Sequence, residues 1–280
     1  MSGQTFIFCL GATKAGTSWL FDYLYGHREC HFPAVKELHY FDALEQGNGA
    51  WHRKEAQARL DRARAEKPTA WQHRLVADLE RWLATFDGKT RDDAAYLNYV
   101  QEGGEKARVI GDFTPAYGLL KEKTLATMAA LTDKVRFVYL MRDPVDRIWS
   151  NIRMVAGAGG QTALDAKVDG VLNGTADNIL DRSNYRRTLN RLTRAIPREA
   201  LHIEFYERLF TPAAIERLCA FLGIVPQPAP FDRMVHQSVK AALPMGQRAQ
   251  LQAALKPQYN FVEKFMGELP SEWTQKMVSA

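Results

Sequence analysis

Short apolar runs alternate with longer stretches whose apolar residues recur every three or four positions, a pattern that predicts strands followed by helices. The run Thr5 to Leu10 ends in a glycine-bearing turn, and helical spacing follows from Ser18 to Tyr25. Further strands are expected at Ala107 to Gly111, Val135 to Met141 and Leu201 to Phe205, with a helix over Tyr185 to Ile196 before the last. Alternation of this kind implies parallel β-α-β units, and such sheets hold their ligands at the carboxyl ends of the strands. The expected fold class is therefore α/β, a parallel sheet flanked by helices on both faces.

Between the first two long strands lies a polar, helix-rich stretch, residues 51–101. In WQHRLVADLERWLATF the residues Trp71, Leu75, Leu79 and Trp82 fall at helical intervals, which predicts one buried face. The preceding WHRKEAQARLDRARAEK mixes basic and acidic residues and reads as a solvated helix. With no internal repeat or low-complexity linker in view, residues 1–280 are expected to form a single domain with 51–101 as a helical insertion.

Composition narrows the class. At 46% hydrophobic and 25% charged residues the chain is an ordinary globular one. Its apolar run from Phe6 to Leu10 is too short for a signal peptide or a membrane span, and three scattered cysteines fit a reducing compartment. A cytoplasmic protein with no membrane span is expected. The formal charge of +5 favours anionic ligands. No zinc-finger spacing, RNP-like aromatic motif or basic tract is present, so no nucleic acid partner is expected. His27, Cys30 and His31 lack a second ligand pair, so no metal is expected.

The turn after the first strand carries Lys14, Ala15, Gly16, Thr17 and Ser18. Backbone N–H groups at such a strand-to-helix turn hold phosphate, with the lysine adding charge and the hydroxyls adding donors. A Walker loop requires lysine directly after its last glycine, and here Thr17 follows Gly16. The segment VRFVYLMRDPVDRIWSNIRM ends a strand at Arg142, offers Asp143 as a cap and Pro144 as a first helical residue, and places Ser150 two turns on, so that arginine and hydroxyl converge on one anion.

Together these segments resemble the 3'-phosphoadenosine 5'-phosphosulfate (PAPS)-dependent sulfotransferases. Lys14 to Ser18 are similar to that family's 5'-phosphosulfate loop, and Arg142 with Ser150 to its 3'-phosphate site. The sheet is then P-loop-like. KELHYFD, Lys36 to Asp42, looks like the segment that carries the catalytic base in the heparan-sulfate branch. By resemblance Glu37 is the base, Lys14 and His39 complete the catalytic set, and Lys36 and Asp42 orient the base or the acceptor. Burial among Leu38, Tyr40 and Phe41 is expected to raise the Glu37 pKa. GDFTPAY and the SNYRRTLNRL to FLGI stretch extend the likeness. Phe113 stands where heparan-type enzymes carry a lysine, a departure that weighs against a sulfated-sugar acceptor. Lys240 and Arg248 are the late-chain candidates for closing over the 3'-phosphate.

The resemblance implies in-line transfer of a sulfuryl group from PAPS to a hydroxyl or amine, releasing 3'-phosphoadenosine 5'-phosphate (PAP) without a metal. The acceptor, a small molecule or saccharide, and the oligomeric state are left open. Two rivals remain. One is an ATP-using P-loop phosphotransferase, with Asp112 ending a Walker-B-like strand. The other is a non-catalytic nucleotide-binding protein on the same fold.

Overall fold

The computed structural model describes residues 3–157, 159–232 and 241–278. Its strands are β1 (Thr5–Gly11), β2 (Cys30–His31), β3 (Val109–Phe113), β4 (Val135–Met141) and β5 (Leu201–Phe205). They form one parallel sheet in the order β2-β3-β1-β4-β5. All residues of β1 and β3 are buried. That explains their continuous apolar character, since helices cover the sheet and leave no solvent face to alternate toward. At the centre, the Phe8 ring stacks on Phe137 at 5.5 Å and meets Phe41 and Tyr117 edge-on at 5.7 and 6.2 Å. Full burial of one such ring contributes roughly 1.5–3 kcal/mol.

The helices before β4 are α1 (Thr17–Tyr25), α2 (Tyr40–Gln46), α3 (Gly49–Ala65), α4 (Ala70–Thr85), α5 (Asp93–Gln101) and α6 (Glu122–Ala129). After it come α7 (Pro144–Ala156), α8 (Gly160–Leu172), α9 (Asp177–Asp181), α10 (Tyr185–Ala195), α11 (Tyr206–Leu209), α12 (Pro212–Leu222), α13 (Met245–Met266) and α14 (Ser271–Val278). From β1 the chain goes outward to β2 and β3 on one side, then crosses to β4 and β5 on the other. The strand order reverses beside β1, the kind of position at which parallel sheets bind their ligands. Because all strands are parallel, the loop after β1, Thr114 after β3, Arg142 after β4 and Tyr206 after β5 share one edge of the sheet.

Three details differ from the pattern reading. Strand β2 has only two residues, too few to leave a periodic signal. The strand expected at Ala107 to Gly111 runs instead over Val109–Phe113, because Asp112 and Phe113 are themselves buried. In α4 the face of Leu75, Leu79 and Trp82 is buried, but Trp71 is 42% exposed and rests its edge on Tyr25, 5.1 Å between centroids. Trp71 lies in the first turn, beyond the reach of the core. No described helix is long and apolar enough to cross a membrane.

Candidate active site

The turn from β1 into α1 is built around Gly16, whose φ of 90° is left-handed. A Cβ there would stand 2.9 Å from the Tyr206 ring and 3.1 Å from Leu209, so only glycine fits both the backbone and the space. Helix α1 has no side-chain cap. Its first-turn N–H groups therefore point into the loop, the arrangement that suits an anion. Ala15 is fully buried and its N–H donates to the Ala12 carbonyl at 3.1 Å, so its part is to shape the turn. Thr17 is buried and Ser18 half-buried in the first turn of α1.

Cations converge on this loop. Lys14 has a φ of 70° and its Nζ lies 3.8 Å from Met154 Sδ on α7. Burial, then the charges of Arg142, Arg153 and Lys36, lower its pKa. Arg142 donates from Nη1 to the Lys14 carbonyl at 3.3 Å and lies over the Tyr206 ring, 4.6 Å from its centroid. The acids that a surface arginine would take as partners are occupied. Asp143 caps α7 by accepting from the Asp146 N–H at 2.9 Å and takes the Tyr259 hydroxyl at 2.9 Å. Asp146 pairs with Arg248 at 2.8 Å and Lys276 at 2.6 Å. Arg142 is thus held by neutral groups with no carboxylate within ion-pair range among the described residues. Ser150 is buried on α7, one turn before Met154. Arg248 is engaged with Asp146, and Lys240 lies outside the described residues.

Two arginines that the motifs did not single out brace the loop. Arg147, fully buried, donates to the Thr13 carbonyl at 3.5 Å, Ser183 Oγ at 2.5 Å and the Ile179 carbonyl at 2.5 Å. Burial lowers its pKa to about 10. Arg182 donates to Thr13 Oγ1 at 2.7 Å. Arg147 sits four residues past the cap Asp143, and that helical spacing was its only signal.

The KELHYFD segment runs beside the loop. The Glu37 N–H donates to the Phe113 carbonyl at 3.0 Å and the Tyr40 N–H to the Tyr117 hydroxyl at 3.0 Å, which pins the segment to the end of β3. Glu37 and His39 take φ values of 67° and 53°, with Leu38 between them buried. Among the described residues, the only non-glycine positions with left-handed φ are Lys14, Glu37 and His39. Such conformations cost about 1–3 kcal/mol each and cluster at functional sites.

Lys36 joins the two halves. Its Nζ lies 3.2 Å from Ser18 Oγ and 3.0 Å from Glu37 Oε1. His39 Nε2 is 3.6 Å from Glu37 Oε2, and His39 Nδ1 is 2.7 Å from Asp42 Oδ2. His52, on α3, stacks on His39 at 4.2 Å. Crowding by the protein pushes the Glu37 carboxyl up, yet the facing His39 imidazolium and the Lys36 charge outweigh it and hold the pKa at about 2. This corrects the expectation that burial would raise it, since the apolar neighbours point into the core and the ionic ones face the carboxylate. His39 moves the opposite way: burial lowers its pKa, but the hydrogen bond to Asp42 and the nearby Glu37 carboxylate prevail and carry it to about 9.

These groups open onto a cavity of about 410 Å³, with Glu37 and His39 on its floor and Trp51, His52, Arg59 and Arg62 of α3 on one wall. The helix read as solvated therefore lines the site. Asp112 has a different place. Its carboxylate is buried and accepts from Thr114 Oγ1 at 2.7 Å, Tyr117 Oη at 2.8 Å and Tyr96 Oη at 3.0 Å. Burial raises its pKa to about 6 against those bonds. Three hydroxyls occupy the oxygens that a Walker-B acid would turn to a metal, so Asp112 anchors the floor.

A family model described as the sulfotransferase family matches residues 7–228. No curated protein matches the chain. Among solved structures, a sulfotransferase from Alicyclobacillus acidocaldarius is similar with a TM-score of 0.64 at 19% identity, over 97% of this chain and 99% of that one. The sulfotransferase domain of the Synechococcus PCC 7002 olefin synthase gives 0.56 at 20% identity, over 95% and 96%. At such identities the structural likeness speaks for the fold, and the family match spans most of the sequence: this chain belongs to the sulfotransferase family.

Proposed function

We propose that the protein transfers a sulfuryl group from PAPS to a hydroxyl or amine acceptor. The observation that carries this reading is the Lys36 bridge, which ties Ser18 at the anion loop to Glu37 at the cavity floor. PAPS, when bound, supplies the sulfuryl group, and Lys14, Gly16, Thr17 and Ser18 with Arg142 and Ser150 are the residues that fit its two phosphate ends. The fit rests on the uncapped N-terminus of α1, the Gly16 space and an arginine held only by neutral groups.

Each side chain then has a physical task. An anion in the loop relieves the repulsion among Lys14, Arg142 and Arg153. Glu37 takes the acceptor's proton on a carboxylate oxygen. A carboxylate held at a pKa of about 2 is ionised but weakly basic. When Lys36 turns from Glu37 toward Ser18 and the loop, the base strengthens as the loop gains charge. Asp42 holds His39 in orientation through Nδ1, and His39 in turn fixes Glu37. Labelled PAPS incubated with the protein and pooled small metabolites, followed by mass spectrometry of sulfated products, tests the reaction itself. Absence of any label transfer would sink it.

Two further outcomes are expected. Between the ordinary imidazole value of 6.5 and about 9 the folded protein holds the His39 proton that an unfolded chain has lost. That stabilisation is complete below 6.5 and disappears as pH rises through about 9. The Glu37 contribution is complete above 4.5 and lost as pH falls through about 2. The rate kcat/KM should therefore stay level at neutral pH and fall above about pH 9, and His39→Asn should lose that alkaline limb in a pH-rate series.

Activity should also survive exhaustive EDTA treatment, with Lys14, Arg142 and loop amides meeting the donor charge. His39, Asp42 and His52 do offer ligand atoms within 4.8 Å of one another. Loss of turnover on chelation, restored by a divalent metal, would reassign that trio as a metal site.

A further inference from the structure

Helix α3 turns one face to the cavity. Trp51, Glu55, Arg59 and Arg62 follow one another at intervals of four, four and three residues, which sets them in a row along the axis. Trp51 is 57% exposed. Arg59 donates from Nη1 to the Lys36 carbonyl at 2.9 Å, fastening the wall to the segment that carries Glu37. Burial lowers the Arg59 pKa, and the largest charge opposing that is Glu37 itself. Among the described residues, neither Arg59 nor Arg62 has a carboxylate within 4.0 Å, although Glu55 is one turn from Arg59. Around the cavity Lys36, Arg59, Arg62 and the protonated His39 face Glu37 and Glu55, with Asp42 behind His39 as a third carboxylate, so four cationic groups meet three anionic ones.

A cavity with a net positive lining and two guanidinium groups that lack a carboxylate partner among the described residues, one of them tied only to a backbone carbonyl, gains from a ligand that brings its own negative charge. Resting on the sulfotransferase reading, we infer that the acceptor is itself an anion. Its carboxylate or phosphate group sits on Arg59 and Arg62, a flat ring lies against Trp51, and the hydroxyl or amine to be sulfated turns to Glu37. Along α3 the distance from Trp51 to Arg59 is about 12 Å at 1.5 Å per residue. That length and the cavity of about 410 Å³ suit a molecule of one or two rings.

The test is calorimetric titration of the PAP-loaded protein with three matched probes: phenyl β-glucoside, phenyl β-glucuronide and phenyl β-glucoside 6-phosphate. The two charged probes should bind at least about ten-fold tighter than the neutral one, and added salt should narrow the gap. Comparing the two charged probes ranks carboxylate against phosphate. Arg62→Gln should shrink the preference, and Arg59→Gln with Arg62→Gln should abolish it while PAP affinity stays unchanged, which also shows that the variant is folded. Equal binding of all three probes overturns the inference, as does no binding at millimolar concentration or a preference that survives the double variant. Failure of PAP to bind the wild type overturns the donor reading separately, and the same titrations on unloaded protein then decide the acceptor question.

Discussion

Glu37→Gln is expected to lower kcat by about 100-fold or more, the range for loss of a general base, while PAP affinity stays within about two-fold of wild type. The substitution is nearly isosteric and keeps a side chain that can hydrogen-bond Lys36 and His39, so the segment retains its shape. What disappears is the negative charge proposed to take a proton from the acceptor. The residues proposed to hold the nucleotide, Lys14 to Ser18, are untouched by the change. Steady-state rates with a sulfated product readout, beside a PAP titration, separate the two quantities. Wild-type turnover in Glu37→Gln removes Glu37 from the chemistry, and a parallel loss of PAP affinity makes it a structural support of the loop.

Arg142→Ala should produce the second large effect, on nucleotide discrimination. In the wild type PAP is expected to bind at least about 100-fold tighter than AMP, because charge-assisted hydrogen bonds contribute on the order of 1.5–3 kcal/mol each and the guanidinium fork makes two. The arginine is pre-positioned by the Lys14 carbonyl and the Tyr206 ring, so little side-chain freedom is lost on binding. Removing it should bring PAP down to the AMP level and leave AMP nearly unchanged. Arg142→Lys keeps the charge without the fork and should fall between. Equal affinities for the two nucleotides in the wild type would remove Arg142 and Ser150 from any 3'-phosphate site.

How much of this was legible in the sequence depended on the range of the interactions. The strand-turn-helix of the candidate anion loop could be read because its parts are contiguous, strand, glycine turn and helix start within fourteen residues of one another, Thr5 to Ser18. The positions of the four longer strands and the capping role of Asp143 were equally local. Glu37 and His39 were visible only through resemblance, because nothing in propensity favours a left-handed glutamate or histidine; tertiary contacts to Phe113, Thr114 and Tyr117 impose those angles. The downward shift at Glu37 depends on where Lys36 and His39 point, which a linear reading cannot supply. Arg147 and Arg182 look like surface charge until their partners, Thr13, Ile179 and Ser183, are brought together from distant parts of the chain. The α3 helix misled for a related reason. A polar face turned to a cavity has the same composition as one turned to solvent.

That helix also bears on how such a protein changes its substrates. The proposed nucleotide side of the site is woven from the ends of the central strands and is hard to alter without disturbing the sheet. The opposite wall is a single surface helix in which only Gly49, Leu60 and Ala63 are buried, entered where Gly49 and Gly88 touch so closely that a Cβ on Gly49 would stand 1.9 Å from the Gly88 carbonyl oxygen. Trp51 and Arg62, both exposed, can be exchanged at small cost in stability so long as that glycine junction and the Arg59 bond to the Lys36 carbonyl remain. On the proposed reading the site is divided into a conservative half and an interchangeable one, and a library confined to α3 is the direct route to new acceptors on an unaltered donor half.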